Sequence, residues 1–220
     1  PETLHVDQRQ RFQARHLLAG YWQLGSDPRF FLLALASGVP FNGMFLYVLS
    51  APVFLQDGLG LQPTQFFWFF LSTIGGIMAG AAVSGRLAGK MSPKRQIMRG
   101  FRIMVAVSVV NVTLNLFAPL SAFWALPMVG LFAFGWAMMV PVVTLLVLDQ
   151  APDRRGMASS LQACIGSVAN AFVAGVIAPL VMHSTVALAT SSVLMMCLGL
   201  VAWMFIRKRW PEIGQKVDVL

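Results

Sequence analysis

The sequence predicts an all-α, polytopic membrane protein with six transmembrane helices, and its composition is the first reason. Of 220 residues, 57% are hydrophobic and only 11% are charged, with a mean hydropathy of +0.72. A soluble domain carries roughly 25% charged residues because its surface must be wetted. A chain with so few charges cannot cover itself in this way, so we expect its outer surface to face lipid.

The second reason is a series of six apolar runs, each long enough to cross a bilayer as a helix, which takes roughly 20 residues. Only helices and closed barrels satisfy their backbone hydrogen bonds in lipid, and barrel strands alternate over about 10 residues. These runs are longer and continuous, which favours helices. The expected spans are Phe30–Leu55, Thr64–Ala88, Ile97–Ala118, Ser121–Leu148, Met157–Met182 and Thr185–Ile206.

The runs divide the chain into three parts. Residues 1–29 are expected to form a cytoplasmic linker, residues 30–206 the six-helix bundle, and residues 207–220 a cytoplasmic tail. The pair Asp27-Pro28 predicts a helix N-cap followed by proline at the first helical position, where the first span should begin.

The linker contains a possible amphipathic helix. Several of its apolar side chains fall roughly on one helical face, which suits a helix lying at the inner membrane surface. A plain linker is the alternative. The apolar side chains are Phe12, Leu18, Tyr21, Trp22 and Leu24.

The basic residues predict the orientation. All 16 Lys and Arg residues lie before the first span, in or next to the connection between the second and third spans, in the connection between the fourth and fifth, or after the last span. Six spans place these four regions on one side, and an excess of Lys and Arg marks the cytoplasmic side. We therefore expect both termini to be cytoplasmic. The same one-sided placement explains the net charge of +8 without nucleic-acid binding.

The acidic and histidine residues predict no catalytic centre. No carboxylate lies near the middle of an expected span, where a charge is costly and usually functional. Asp57 falls in an outer loop and Asp149 at the inner end of the fourth span. The histidines His5, His16 and His183 have no metal-ligand partner at helical spacing. We expect no enzyme activity, no metal site and no cofactor.

The small residues, prolines and cysteines in the spans predict how the helices pack against one another. Gly76 and Gly80 let helices approach closely, and Pro40 predicts a bend that either serves opening and closing or only varies the packing. Cys164 and Cys197 lie in apolar runs, and we expect both to be buried small side chains rather than a disulfide.

The candidate substrate contacts are aromatic, methionine and amide side chains. In the first span, Phe41 and three later residues follow helical spacing and form one face, with an asparagine beside it. Such side chains make an adaptable, apolar lining for varied ligands, while ordinary helix packing is the alternative for each. The candidates are Asn42, Met44, Phe45, Val48 and Asn170.

Two strings of residues match patterns of a known family. Residues Pro1–Leu4 spell PETL, and Gly85–Arg95 contains a glycine, a basic residue and a basic pair. They resemble the string after the sixth helix and the second-half cytoplasmic loop motif of major-facilitator superfamily transporters. Gly89 stands where that motif usually has an acid. The matching motif positions are Gly85, Lys90, Lys94 and Arg95.

Shorter strings are similar to the Bcr/CflA drug-resistance group within that superfamily. They occur where the first span opens and closes, and where the fifth span begins. The strings are Asp27-Pro28-Arg29-Phe30, Phe45-Leu46-Tyr47, Ser50-Ala51-Pro52 and Met157-Ala158-Ser159-Ser160-Leu161-Gln162.

The resemblance implies that this chain is helices seven to twelve of a twelve-helix fold, with an N-terminal six-helix half as its partner. It further implies a cavity between the halves, alternating access, and export of small lipophilic compounds from a bacterial inner membrane against proton entry. The alternatives are an uptake carrier for a small metabolite, and a self-contained six-helix channel or assembly subunit.

Overall fold

The computed structural model describes residues 14–214, and helices make up almost all of this part of the chain. The linker residues before it and the tail residues after it, including Pro1–Leu4 and Phe12, lie outside the described residues. The helices are α1 Ala14–Gly25, α2 Pro28–Leu49, α3 Phe67–Leu87, α4 Pro93–Phe117, α5 Ala122–Leu148, α6 Arg155–Phe172, α7 Ala178–Val181 and α8 Thr185–Arg209.

Four short helical segments join these elements. A π-helical segment, Pro52–Gly58, follows α2, and a second one, Val173–Ile177, joins α6 to α7. Single 3₁₀ turns, Pro63–Gln65 and Pro152–Arg154, precede α3 and α6. Since α6, the second π segment and α7 follow one another directly, they form one continuous span.

Within the described residues, six helical segments are long and apolar enough to cross a membrane, as the sequence predicts. The all-α class is therefore confirmed for the described residues. The segments are Pro28–Leu49, Pro63–Leu87, Pro93–Phe117, Ala122–Leu148, Pro152–Val181 and Thr185–Arg209.

The first span begins where the pair Asp27-Pro28 predicts, and it differs from the expected Phe30–Leu55 at its other end. It begins at Pro28 because the Asp27 carboxylate accepts the N–H of Arg29 at 2.8 Å and caps the helix. Its α-helical part ends at Leu49. Pro52 has no N–H to continue the ladder, and the chain passes into the π-helical segment.

Two other helices extend beyond their apolar runs into basic sequence. α4 begins at Pro93 rather than Ile97, and α8 ends at Arg209 rather than Ile206. Proline suits the first turn of a helix, while Lys and Arg are good helix formers. Hydropathy marks the part of a helix that lies in lipid, whereas the helix itself continues into the headgroup region.

α2 and α5 form the centre of the bundle. α5 packs against α3 and α4, and α2 packs against α8, α5 and α6. At the α3–α5 contact, a side-chain carbon on Gly76 would collide with the backbone carbonyl of Gly130. The prediction of close packing through small residues is thus confirmed at Gly76.

The other helices leave much of their surface uncovered. About half of the most apolar stretch is buried in α2 and α5, against 17% in the span containing α3 and 11% in the span containing α6. Both cysteines are exposed, so the expectation that they are buried is wrong. A lipid-facing surface is as apolar as a helix interior, so hydropathy does not separate the two.

α1 packs across the beginning of α6. The hydroxyl groups of Tyr21 and Ser160 are 2.8 Å apart. The Leu18 and Trp22 side chains of α1 remain exposed, which leaves its apolar face open. That this helix lies on the membrane surface stays a prediction.

Candidate functional site

Three aromatic rings from α2 and α5 form a cluster that stays partly open. Phe41 and Phe45 are one helical turn apart and stack, with ring centroids separated by 5.3 Å and planes inclined by 25°. The Phe41 ring also contacts Trp136, with centroids 5.0 Å apart. All three side chains are half-buried. The aromatic cluster Phe41/Phe45/Trp136 therefore presents flat apolar surface at the side of the bundle.

A group of hydrogen bonds adjoins these rings and ties three helices together. The Gln162 amide nitrogen on α6 donates to Ser37 Oγ at 3.0 Å and to Thr144 Oγ1 at 3.3 Å. Trp136 Nε1 donates to the Ser37 carbonyl oxygen at 2.9 Å. Because Trp136 belongs to both groups, the polar cluster Ser37/Trp136/Thr144/Gln162 is continuous with the aromatic one.

This combination is chemically neutral and suited to binding. Its rings offer π-faces to a planar or cationic group, and its amide and hydroxyls offer hydrogen bonds that fix orientation. None of its members titrates near neutral pH. The arrangement can hold and orient a molecule, and its two hydroxyl groups have no acidic or basic side chain among the cluster members to activate them.

The residues predicted to contact substrate differ in how exposed they are. Phe45 and Val48 are half-buried, with Phe45 in the aromatic cluster, whereas Met44 is buried in the bundle. Asn42 is fully buried, and its amide donates to the Gly38 carbonyl at 3.3 Å. Met44 and Phe45 are adjacent in sequence and so project about 100° apart around a helix, which allows one side chain to be buried and the other to stay partly open.

Asn170 lies on α6 one turn beyond the point where α6 approaches α2. A side-chain carbon on Gly38 would lie 3.4 Å from the Gly166 Cα atom, so the two backbones are close there. Asn170 is half-buried, and its Oδ1 atom is buried without a protein hydrogen-bond partner. The structure thus places Asn170 along the α2–α6 contact.

No member of the polar cluster was among the predicted contacts. Gln162 is a polar residue inside an apolar run, which indicates a partner away from lipid but does not name one. Trp136 lies mid-span rather than in the interfacial belts that tryptophan favours. The positions of Gln162 and Trp136 within the spans were therefore the two sequence features that could have indicated this cluster.

The loop between α3 and α4 carries the motif-like residues. Gly85, Lys90 and Arg95 are exposed. Lys94 Nζ donates to the Pro211 carbonyl oxygen in the segment after α8. This lysine therefore links the start of α4 to the segment after α8 through a hydrogen bond.

Gly89 has a backbone conformation that accounts for the missing acid. Its φ angle is +72°, a left-handed conformation that glycine adopts without strain and an acidic residue adopts less readily. It follows the end of α3, where the N–H groups of Lys90 and Met91 donate to the Leu87 carbonyl at 3.0 and 3.1 Å.

The described carboxylates lie at helix ends and in connections rather than mid-span. Asp57 is exposed in the π segment after α2, and Asp149 follows the last residue of α5. Asp149 forms an ion pair with Arg155 at 3.3 Å, and both side chains are largely exposed. The described part of the bundle therefore holds no ionised acid in its apolar core.

These features define the class of protein: a multi-pass membrane protein whose bundle carries a partly open face of aromatic and uncharged polar side chains. The family model described as "Major Facilitator Superfamily" matches residues 1–174, and the chain belongs to this superfamily. Its members are transporters rather than enzymes.

One curated relative is similar in sequence. The "Multidrug resistance protein MdtM" of Escherichia coli O157:H7 is 24% identical over 132 residues, which cover 60% of this chain and 32% of that protein. The matched segment thus spans about a third of the relative's length.

Proposed function

We propose that this chain is the C-terminal half, helices seven to twelve, of a Bcr/CflA-type exporter that expels small lipophilic drugs in exchange for protons. The observation that carries the proposal is the continuity of the aromatic cluster Phe41/Phe45/Trp136 with the polar cluster around Gln162. The name of the similar relative, a multidrug resistance protein, also supports drug export as the function.

The chemistry of the face favours lipophilic substrates. A carrier of sugars or organic anions needs dense hydrogen bonds or fixed charges to replace the hydration of its substrate. This face offers three rings, one amide and two hydroxyls. Rings gain contact area without a fixed donor pattern, which suits a binder of varied compounds.

The N-terminal half is the proposed partner, and the uncovered helices support its position. The spans containing α3 and α6 bury little of their surface in this chain. The predicted contact Asn170 and both partners of Gln162 lie where α6 meets α2 and α5. A second half that covers this side would close a cavity over the aromatic cluster, and alternating access would expose the cavity to each side in turn.

The proposed location is the bacterial inner membrane, with both ends of the chain in the cytoplasm. The support is the one-sided placement of Lys and Arg described above. The protons are proposed to act on the partner half, because the described carboxylates of this half lie at its ends.

A drug-efflux assay tests the proposal. The complete gene product is expressed in a drug-sensitive bacterium, and efflux of lipophilic cationic dyes is measured with and without a proton uncoupler. Phe45→Ala and Gln162→Leu should change the apparent affinity for individual dyes by about threefold to tenfold, as loss of a ring contact or a hydrogen bond predicts.

The matched controls are Phe117→Ala and Gln150→Leu. The Phe117 ring is exposed at the outer end of α4, and Gln150 donates within its own turn to Leu146. Both controls should leave the dye profile unchanged. Efflux that is insensitive to the uncoupler, or a loss in the Phe45 variant that follows protein abundance alone, would contradict the proposal.

A further inference from the structure

A buried hydrogen-bond network joins α2 to α4, away from the aromatic cluster. Asn111 Nδ2 donates to Tyr47 Oη at 2.9 Å, and Asn115 Nδ2 donates to the Asn111 carbonyl oxygen at 2.8 Å. Tyr47 and Asn111 are both buried. This network therefore places polar atoms inside the bundle, in a region of otherwise apolar side chains.

Ser108, one turn before Asn111, differs from several other hydroxyl residues of the spans. Ser37, Thr73 and Thr113 each donate to a backbone carbonyl three or four residues earlier in their own helix. Ser108 Oγ makes no such bond and has no protein partner, although the residue is only 4% exposed. A buried hydroxyl without a partner is unfavourable, so this group needs one that the protein does not supply.

Ser108 borders a small cavity between α2, α4, α5 and α8. The cavity leaves about 10 Å³ open to the centre of a water molecule, which is close to the space that one water needs. Its polar lining comes from Tyr47, Ser108, Asn111 and Ser192, and its apolar lining includes Met44. None of the described lining residues carries a charge, which disfavours a bound ion.

We propose that this cavity binds a single internal water molecule, held by Ser108 Oγ and bridging to polar groups on neighbouring helices. The inference goes beyond the proposed transport function and does not depend on it. An internal water is held when it finds two to four polar partners in a cavity of its own size. Here the hydroxyls of Ser108, Tyr47 and Ser192 and the Asn111 amide offer that number.

Radiolytic footprinting tests the site on the complete protein in lipid nanodiscs. Hydroxyl radicals formed from a bound water oxidise the side chains beside it, even when bulk solvent does not reach them. Met44 and Tyr47 should be oxidised several-fold faster than Met139, which is fully buried and does not line the cavity. Mass spectrometry of the digested protein measures the three rates.

Two variants connect the water to Ser108. Ser108→Val removes the hydroxyl and fills its space, so the rates at Met44 and Tyr47 should fall to that of Met139. Thr113→Val is the control, because Thr113 lies on the same helix, is exposed, and donates to its own helix backbone. Its rates should match those of the unmodified protein.

Two outcomes would overturn the proposal. One is that Met44 and Tyr47 are oxidised as slowly as Met139 in the unmodified protein, which means that the cavity is dry. The other is that they are oxidised quickly in both the unmodified protein and Ser108→Val, which means that water reaches them by another route. Size-exclusion profiles confirm that each variant is folded.

Discussion

Single side chains in this bundle show how amides are accommodated in a membrane. The Gln96 amide nitrogen at the start of α4 donates to Ser84 Oγ at 2.8 Å and to the Met138 carbonyl oxygen at 3.0 Å. One buried side chain thereby joins α3, α4 and α5. Asn111 and Gln162 make equivalent links between other helices. These residues direct polar groups between helices because lipid offers no partner.

Gly76 gives a prediction at the same scale. Gly76→Ala should lower the stability of the complete protein by about 1–3 kcal/mol, because the added carbon meets the Gly130 backbone, which cannot rotate away. The neighbouring change Gly75→Ala is the control, since nothing in this chain lies within 4 Å of its added carbon. Alanine favours a helix over glycine by about 1 kcal/mol, so the control should be neutral or stabilising.

Thermal unfolding of both variants in detergent measures the difference. A lower midpoint for the Gly76 variant alone is the expected result. Equal midpoints for the two variants would show that α3 and α5 separate enough to admit the carbon without cost.

At the scale of helices, the sequence predicted the features that depend only on residues close together in the chain, such as the start of a helix. The start of α2 at Asp27-Pro28 follows from an N-cap residue and a proline that can both be recognised in the sequence. The π segment Val173–Ile177 was not predicted. Pro179 has no N–H to donate to the Gly175 carbonyl, so the sequence indicates that the helix is irregular there. It does not indicate whether the helix breaks, bends or shifts to i→i+5 hydrogen bonds.

The candidate site was predicted in part for the same reason. Phe41 and Phe45 share a face by their spacing on one helix. Their contact with Trp136, and the bonds from Gln162 to Ser37, depend on how α5 and α6 are positioned against α2. A single sequence contains no feature that predicts how α5 and α6 are positioned against α2. Whether Asn42, Met44, Val48 and Asn170 contact a substrate stays a prediction.

The junction between α5 and α6 gives a prediction about proton coupling. Coupling needs a group that titrates within the cavity, and Asp149 lies beyond the end of α5 in an exposed pair with Arg155. Exposed ion pairs contribute about 0–1 kcal/mol. Asp149→Asn, like Asp57→Asn and Asp153→Asn, should therefore leave uncoupler-sensitive efflux largely intact.

Dye efflux driven by an imposed pH gradient in membrane vesicles measures this effect. The outcome against the prediction is an Asp149→Asn protein that still binds dye but no longer exports it when the gradient is applied. Asp149 would then be the leading candidate for the coupling residue.

For the whole molecule, surface chemistry does not distinguish lipid from a protein partner. Large apolar side chains such as Leu180 and Phe123 are exposed on the described bundle. Cys164 and Cys197 lie on the same kind of surface. Charge placement, by contrast, differs between the two ends of the bundle, and so it yields a definite prediction of orientation.

Thiol labelling tests that orientation. Both native cysteines are exposed and must first be replaced by alanine. Single cysteines at Asp57 and His183, which are exposed, should react with a membrane-impermeant reagent in intact cells. Cysteines at Arg154 and Lys208 are also exposed and should react only after the cells are opened. Labelling of position 154 from outside would reverse the proposed orientation.

The position of Trp136 has an optical consequence. This chain contains six tryptophans, and Trp136 is the one in the aromatic cluster. The other five are Trp22, Trp68, Trp124, Trp203 and Trp210. Replacing these five with phenylalanine, together with every tryptophan in the rest of the complete protein, would leave a single indole emitter beside Phe41. Its emission depends on local polarity and on nearby absorbing groups, so a compound entering the cluster would alter its wavelength or quench it. Occupancy could then be followed by fluorescence with unlabelled compounds, one candidate substrate at a time.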